Sequence, residues 1–158
     1  MDATEISLAR ETAGDVDAAV ARVSAELAAR GFGVLATLRV HEILREKTGT
    51  EIAPVVILDV CSPRHALAAL QRRRDAALLL PCKIVVSREG RVTRITLQRP
   101  TVALARLLPA PELGDVGAET ERILTEAVVA ACRTGRDPAA PPTPRSGSAA
   151  PGGHGRRH

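Results

Sequence analysis

The chain has 158 residues and a formal net charge of +4, with 22 Lys and Arg against 18 Asp and Glu. That length suits a single folded domain with a sizeable core. The sequence has no Trp or Tyr and one Phe, so platforms for stacking nucleic-acid bases are nearly excluded and we do not expect nucleic acid as a partner.

The first half of the chain predicts two strands and two helices. A short edge strand is predicted over residues 4–10. An N-cap at Asp15 and a C-cap at Gly31 enclose an amphipathic helix, whose apolar positions are Val16, Val20, Val23 and Leu27. Alternating apolar residues over 32–40 predict a strand with one apolar face, and residues 41–48 predict a short helix.

One motif in this half resembles a cofactor-binding fingerprint. The stretch "GFGVLA", residues 31–36, fits the pattern G-x-G-x-x-A. That pattern binds a dinucleotide only where its glycines follow a strand and open a helix. Here they follow a predicted helix and open a predicted strand, so we predict no dinucleotide at this position and no cofactor for the chain.

The middle of the chain predicts a buried strand that leads directly into a capped helix. Residues 54–60, "PVVILDV", form a continuous apolar run typical of a central strand. Ser62 then stands at the N-cap position and Pro63 at the first helical position. The predicted buried side of this helix is formed by Ala66, Leu67 and Leu70.

Residues 82–88 and 91–97 predict a β-hairpin with Glu89-Gly90 as its two-residue loop. This loop pairs Arg88 with Arg91 and places one mostly apolar face inward. The predicted inward residues are Cys82, Ile84, Val86, Thr93, Ile95 and Leu97.

The C-terminal part predicts a short helix after Thr101, a longer helix over 115–133 and then a tail. Cys132 is expected to be a small apolar filler on the long helix. The tail has no Leu, Ile, Val or Phe, and its four Arg against one Asp supply +3 of the total +4. We therefore predict one α+β domain over residues 1–134 and a disordered Pro/Gly/Ala/Arg tail over residues 135–158.

The sequence contains no recognisable signal for secretion or for membrane insertion. The first residues lack a basic stretch followed by an apolar one, and no apolar run approaches about 20 residues. We expect a cytoplasmic protein without a membrane partner, with Cys61, Cys82 and Cys132 as reduced thiols. An odd number of cysteines without C-x-x-C also argues against a disulfide framework or a structural zinc site.

Several linked motifs resemble a known family. These are Cys61-Ser62-Pro63 at the strand-to-helix turn, Leu80-Pro81-Cys82-Lys83 at the start of the hairpin, and Gly31-Phe32-Gly33-Val34-Leu35, with Glu46 and Lys47. Over residues 5–133 the chain resembles the family called domain of unknown function 302, in particular the branch with a Cys-Asn-Pro turn and a later Leu-Pro-Cys strand start.

This resemblance implies a fold and an assembly. The implied fold is a two-layer α+β sandwich similar to the TATA-box-binding protein, with a curved, mainly antiparallel sheet and helices on one face. Members of the family tend to be dimeric, so the resemblance also implies a homodimer. A similar fold does not imply DNA binding. The chain departs from the family pattern at Ser62, Arg39 and Leu97, where Asn, an acidic residue and Met are usual.

The two cysteines near the helix start are the main candidates for a site. Cys61 precedes the cap of the helix, whose N–H groups and dipole favour a thiolate, and Lys83 and Arg64 can add positive potential. Our predicted ligand-binding set consists of Cys61, Ser62, Pro63, Cys82 and Lys83. A soft metal held by Cys61, Cys82 and His65 is an alternative.

Other interpretations remain open from the sequence. A strand–helix–strand unit usually places the end of its first strand and the start of its second at opposite ends of a sheet, which favours separate core cysteines. A histidine in a first helical turn is usually exposed. The best interpretation is a binding module for a small ligand or soft metal, with Cys61 at the site; the alternatives are an enzyme with Cys61 as nucleophile and an interaction domain that works through its basic tail.

Overall fold

A computed structural model describes residues 2–3 and 5–134 of the chain. Its strands are β1 (Asp2–Ala3), β2 (Ser7–Thr12), β3 (Gly33–Arg39), β4 (Val55–Cys61), β5 (Cys82–Glu89) and β6 (Val92–Gln98). Its helices are α1 (Val16–Ala28), α2 (Val40–Thr48), α3 (Pro63–Arg72), α4 (Pro100–Leu107) and α5 (Gly114–Thr134), with 3₁₀ turns at Arg74–Leu79 and Pro111–Leu113. The prediction for residues 135–158 lies outside the described residues.

The strands form one antiparallel sheet in the order β1-β2-β6-β5-β4-β3. Helices α1 and α5 pack against each other and against one face of this sheet. The core between the layers contains the fully buried Leu27, Leu58, Ile84, Ile95 and Leu124. The predicted α+β class, with helices on one sheet face, is confirmed. No helix in the described part of the chain is both long and apolar enough to cross a membrane.

Helix α1 begins and ends where its capping residues predict. Asp15 accepts a hydrogen bond of 2.7 Å from the backbone N–H of Ala18. At the other end, Gly31 has φ 77°, and the N–H groups of Gly31 and Phe32 donate to the carbonyls of Ala28 and Leu27. This pair of bonds is a Schellman motif, which needs the left-handed conformation that glycine adopts without strain.

Strand β3 does not present the single apolar face that its alternation predicts. Its register with β4 shifts between Val34 and Ala36, which marks a β-bulge. Val34 pairs with Val60 on the core face, whereas Ala36 pairs with Asp59 on the opposite face. The extra residue reverses the side-chain alternation, so Leu38 is 40% exposed instead of buried.

The predicted register of the β5–β6 hairpin is wrong by two residues, although its inward face is correct. Glu89 pairs with Val92 and Arg88 with Thr93, so the loop is Gly90-Arg91. Gly90 has φ 59°, and the loop therefore places glycine at its first position, where a tight hairpin favours φ above zero. Because a shift of two preserves side-chain alternation, the predicted inward set still faces the core; Cys82 remains only partly buried.

Candidate functional site

The segment between Cys61 and Cys82 leaves the sheet and returns at the same end. Strand β5 runs antiparallel beside β4, and Val60 pairs directly with Cys82. The prediction that this connection separates the two cysteines is therefore wrong. It assumed a parallel crossover, whereas helix α3 and the following 3₁₀ turn bring the chain back beside the strand that it left.

A cavity of about 60 Å³ lies where this excursion meets α4 and α5. Since one water needs roughly 10–15 Å³ measured in this way, the space matches about four to six non-hydrogen atoms. Alanine and leucine are the commonest residues of its mostly apolar wall, and its polar lining residues are Cys61, Ser62, His65, Cys82, Gln98 and Thr120. Gln98 is exposed, so the cavity reaches the surface beside the end of β6.

Ser62 occupies the predicted N-cap position of α3 but uses its hydroxyl differently. The carbonyl of Ser62 accepts the bond from Ala66 N–H at 2.9 Å, which begins the helix. Its Oγ instead lies 2.9 Å from His65 Nδ1, and no side chain caps the helix. Ser62 is 6% exposed and His65 9% exposed, so the expectation of an exposed histidine is wrong.

His65 is held between an aromatic ring and a carboxylate. Its ring stacks on Phe32 with centroids 5.4 Å apart, and its Nε2 lies 3.4 Å from Glu119 Oε2. The Nε2 is buried and has no hydrogen bond of good geometry, so the two atoms are close without being aligned. Glu119 accepts a hydrogen bond of 2.7 Å from Arg64. The buried side of α3 is thus His65 and Ala69, while Leu67 is 58% exposed.

Burial favours the neutral form of both cavity thiols. Burial raises the pKa of Cys61, which is opposite to the thiolate that its place before a helix predicts. Burial, and then the neighbouring Cys61, raise the pKa of Cys82 to about 11, although Lys83 acts in the other direction. Cys61 Sγ lies 3.7 Å from the carbonyl oxygen of Ser62.

Two members of the predicted ligand-binding set lie away from the cavity. Cys61, Ser62 and Cys82 line it, whereas Pro63 is exposed on the first turn of α3. Lys83 points to the other sheet face, where its Nζ donates to Asp59 at 2.6 Å. Within residues 2–3 and 5–134, no three His, Cys, Asp or Glu side chains are arranged to hold a metal ion, so the predicted metal set of Cys61, Cys82 and His65 does not form a three-ligand site.

Helix α4 forms one wall of the cavity and is held in place by α5. Pro100, Ala103 and Leu104 of α4 line the cavity. Glu121 of α5 accepts hydrogen bonds from the Thr101 backbone N–H and from Arg99, each at 3.0 Å, and from the Thr101 hydroxyl. Burial acts to raise the pKa of Glu121, but these hydrogen bonds outweigh it and leave the pKa below its usual value.

The model of the family described as "Domain of unknown function DUF302" matches residues 8–131. The chain belongs to the DUF302 family. A solved structure of an uncharacterised conserved DUF302 protein from Bacillus stearothermophilus is 30% identical, with a TM-score of 0.77 over 82% of this chain and 100% of that one. No curated protein matches the chain. For a DUF302 protein, function must therefore be argued from the site.

Sequence reasoning missed the residues that complete this DUF302 site. Phe32 and Glu119 lie about 30 and 50 residues from His65 in the chain, and only the fold brings them to it. One local signal was present. Ser62 and His65 are separated by three positions, the N-cap to N3 spacing that brings two residues close enough for side-chain contact at a helix start.

Proposed function

We propose that this DUF302 protein is a binding module for a small ligand, which occupies the cavity between α3, α4, α5 and the ends of β4 and β5. The observation that supports it is a mostly apolar cavity, open to the surface beside Gln98, into which a few polar side chains converge. Binding sites for small molecules commonly combine an apolar wall with a few polar groups that orient the ligand.

The lining defines the chemistry of this ligand. Ala69, Ala103 and Leu104 suit a short aliphatic chain, and Ser62 and Thr120 provide hydroxyl groups for one polar end. A chain of about three or four carbons with a carbonyl group matches the available space. The cavity thiols contribute as neutral, polarisable walls, because burial raises the pKa of both cysteines.

Cavity filling tests this proposal. Ala103 lines the cavity, whereas Ala105, on the same helix, is exposed and does not. At a butyramide concentration ten times its Kd, the wild type should gain about 1.4 kcal/mol of stability. Ala105→Leu should keep this gain and Ala103→Leu should lose it. Equal stabilisation of both variants, or no butyramide-induced chemical-shift changes at the cavity residues of the wild type, would refute the proposal.

The alternative functions have less support. A soft metal finds two thiols but no third ligand arranged with them in the described residues. An enzyme with Cys61 as nucleophile needs an adjacent base, yet the hydrogen-bond contact of Cys61 Sγ is the Ser62 carbonyl. The tail that would act in an interaction domain lies outside the described residues.

We also propose that two copies form a homodimer through the sheet face that α1 and α5 leave uncovered. An apolar row crosses three neighbouring strands on this face, because Ile57 pairs with Leu38 on one side and with Val85 on the other. All three side chains are partly or largely exposed. The Asp59–Lys83 ion pair borders the row. Adjacent charges of both signs make such a surface complementary to a two-fold copy of itself.

Sedimentation equilibrium tests the dimer. The wild type should be dimeric at micromolar concentration, and Ile57→Asp should be monomeric with an unchanged circular dichroism spectrum. As a control, Leu67→Asp alters an exposed residue of α3 and should remain dimeric. A monomeric wild type would overturn the proposal.

Three finer assignments from the sequence are also proposals. The three free cysteines support a reducing, cytoplasmic location. The turn Cys61-Ser62-Pro63 supports the branch of DUF302 with a Cys-Asn-Pro turn, and the antiparallel sheet with helices on one face supports a relation to the TATA-box-binding-protein-like folds.

A further inference from the structure

Ser62, His65 and Glu119 form a chain of side chains that ends in the cavity. Ser62 Oγ is 2.9 Å from His65 Nδ1, and His65 Nε2 is 3.4 Å from Glu119 Oε2. Phe32 fixes the plane of the imidazole by stacking on it. A hydroxyl, a base within hydrogen-bond reach and a carboxylate beside the far nitrogen of the base are the parts of an activated nucleophile, and a small rotation of Glu119 would align its carboxylate with Nε2.

The cavity thiols lack the same activation. Burial raises the pKa values of Cys61 and Cys82, and neither sulfur makes a hydrogen-bond contact with a histidine among the described residues. Ser62 is therefore the nucleophilic side chain of the cavity that has a base in place.

We propose that the cavity is a catalytic site for hydrolysis of short-chain acyl esters, with Ser62 as nucleophile, His65 as general base and Glu119 as the positioning residue. This inference rests on the proposed function, because the same cavity must first bind the acyl chain. The available space admits an acyl group of about two to four carbons.

The acylation step requires the His65 tautomer with its proton on Nε2, facing Glu119. Ser62 Oγ attacks the ester carbonyl carbon while His65 Nδ1 takes the hydroxyl proton. The ester C–O bond then breaks, and His65 returns the proton to the leaving alkoxide, which departs as the alcohol. Water attacks the acyl-Ser62 ester in the same way, which releases the carboxylic acid and restores Ser62.

The start of α3 provides donors for the negative charge that develops on the carbonyl oxygen. The Ser62 hydroxyl bonds to His65 instead of the backbone, Pro63 has no N–H, and the Ala66 N–H bonds to the Ser62 carbonyl. The first-turn donors without a side-chain cap are therefore the N–H groups of Arg64 and His65. Free N–H groups and the positive end of the helix dipole stabilise an oxyanion beside them. Helix α3 has ten residues, which is long enough for its aligned peptide dipoles to add to a positive potential at this end.

The test uses p-nitrophenyl acetate, butyrate and octanoate with the full chain. We expect turnover of acetate and butyrate, and little of octanoate, which exceeds the cavity. Ser62→Ala should lower kcat/KM about 100-fold or more. Ser87→Ala, which alters a serine on β5 outside the cavity lining, should retain activity. Intact mass and peptide mapping should place the acyl group on Ser62.

Further variants separate a catalytic role from a structural one. Glu119→Gln should lower kcat with little change in KM, and Glu119→Asp should restore part of it. Wild-type activity in Ser62→Ala, or an acyl group mapped to Cys61 or a lysine, overturns the inference. Binding of butyramide without ester turnover rejects the catalytic inference alone, whereas failure of both assays also rejects the proposed function.

Discussion

Glu121 allows a quantitative test of how the cavity wall is held. Its carboxylate joins α5 to the start of α4 through Thr101 and Arg99, and its side chain is 13% exposed. A hydrogen bond to a charged group contributes about 1.5–3 kcal/mol. Glu121→Gln keeps one acceptor oxygen and removes the charge and the other acceptor, so we expect a loss of about 2 kcal/mol in the free energy of unfolding.

Glu126 is the matched control on the same helix. Its carboxylate forms an exposed ion pair with Arg122, one helical turn away, and such pairs contribute about 0.5 kcal/mol or less. Urea unfolding followed by circular dichroism at neutral pH should therefore separate Glu121→Gln from Glu126→Gln by more than 1 kcal/mol. Equal losses in the two variants would refute the argument.

The pH dependence gives a second check on Glu121. The pKa of Glu121 in the folded protein lies below the usual glutamate value of 4.5. A carboxylate with a lowered folded-state pKa contributes stability that is present above the unfolded value and is lost as the pH falls through the folded one. The difference between wild type and Glu121→Gln should therefore narrow below about pH 4.5. A difference that stays constant down to about pH 3 would contradict this assignment.

Three further predictions concern the site and the sheet. The rate of Cys82 alkylation by iodoacetamide should rise up to a pH near the Cys82 pKa of about 11, and a plateau below about pH 9 would contradict the buried, neutral thiol. Phe32→Ala removes a 3% exposed ring and should cost about 3–5 kcal/mol in urea unfolding, so a loss below about 1 kcal/mol would contradict the packing of His65. Gly90→Ala should cost about 1 kcal/mol because its φ is 59°, whereas Gly33→Ala, without a positive φ or a close contact, should cost measurably less.

The sequence predicts most elements of this fold because local signals specify them. Asp15 and Gly31 mark the ends of α1, and the apolar periodicity of α1 matches the face that it buries through Val16, Val23 and Leu27. The bulge at β3 has no such signal, since Leu35 resembles its neighbours in polarity. The hairpin loop is displaced by one residue because Gly90 can occupy either position of a two-residue turn.

The site is less predictable than the fold because its residues meet through tertiary structure. Cys61, Ser62 and Cys82 are recognisable as candidates from their place at the strand ends, and all three line the cavity. The ionisation of Cys61 is predicted in the wrong direction, because the helix dipole is visible in the sequence but burial is not. Glu119 is one of several acidic residues on α5, and only the packing of α3 on α5 distinguishes it.

The segment that leaves the sheet after β4 returns to the same end of the sheet at β5, and this path has an evolutionary consequence. The segment over residues 62–81 is anchored at both ends by the hydrogen-bonded pair β4 and β5, and the other strands do not depend on its path. Insertions or substitutions within it can reshape the pocket while sheet register is preserved. The shape of the cavity can therefore change through this one excursion, and the sheet and the helices behind it serve as a common frame.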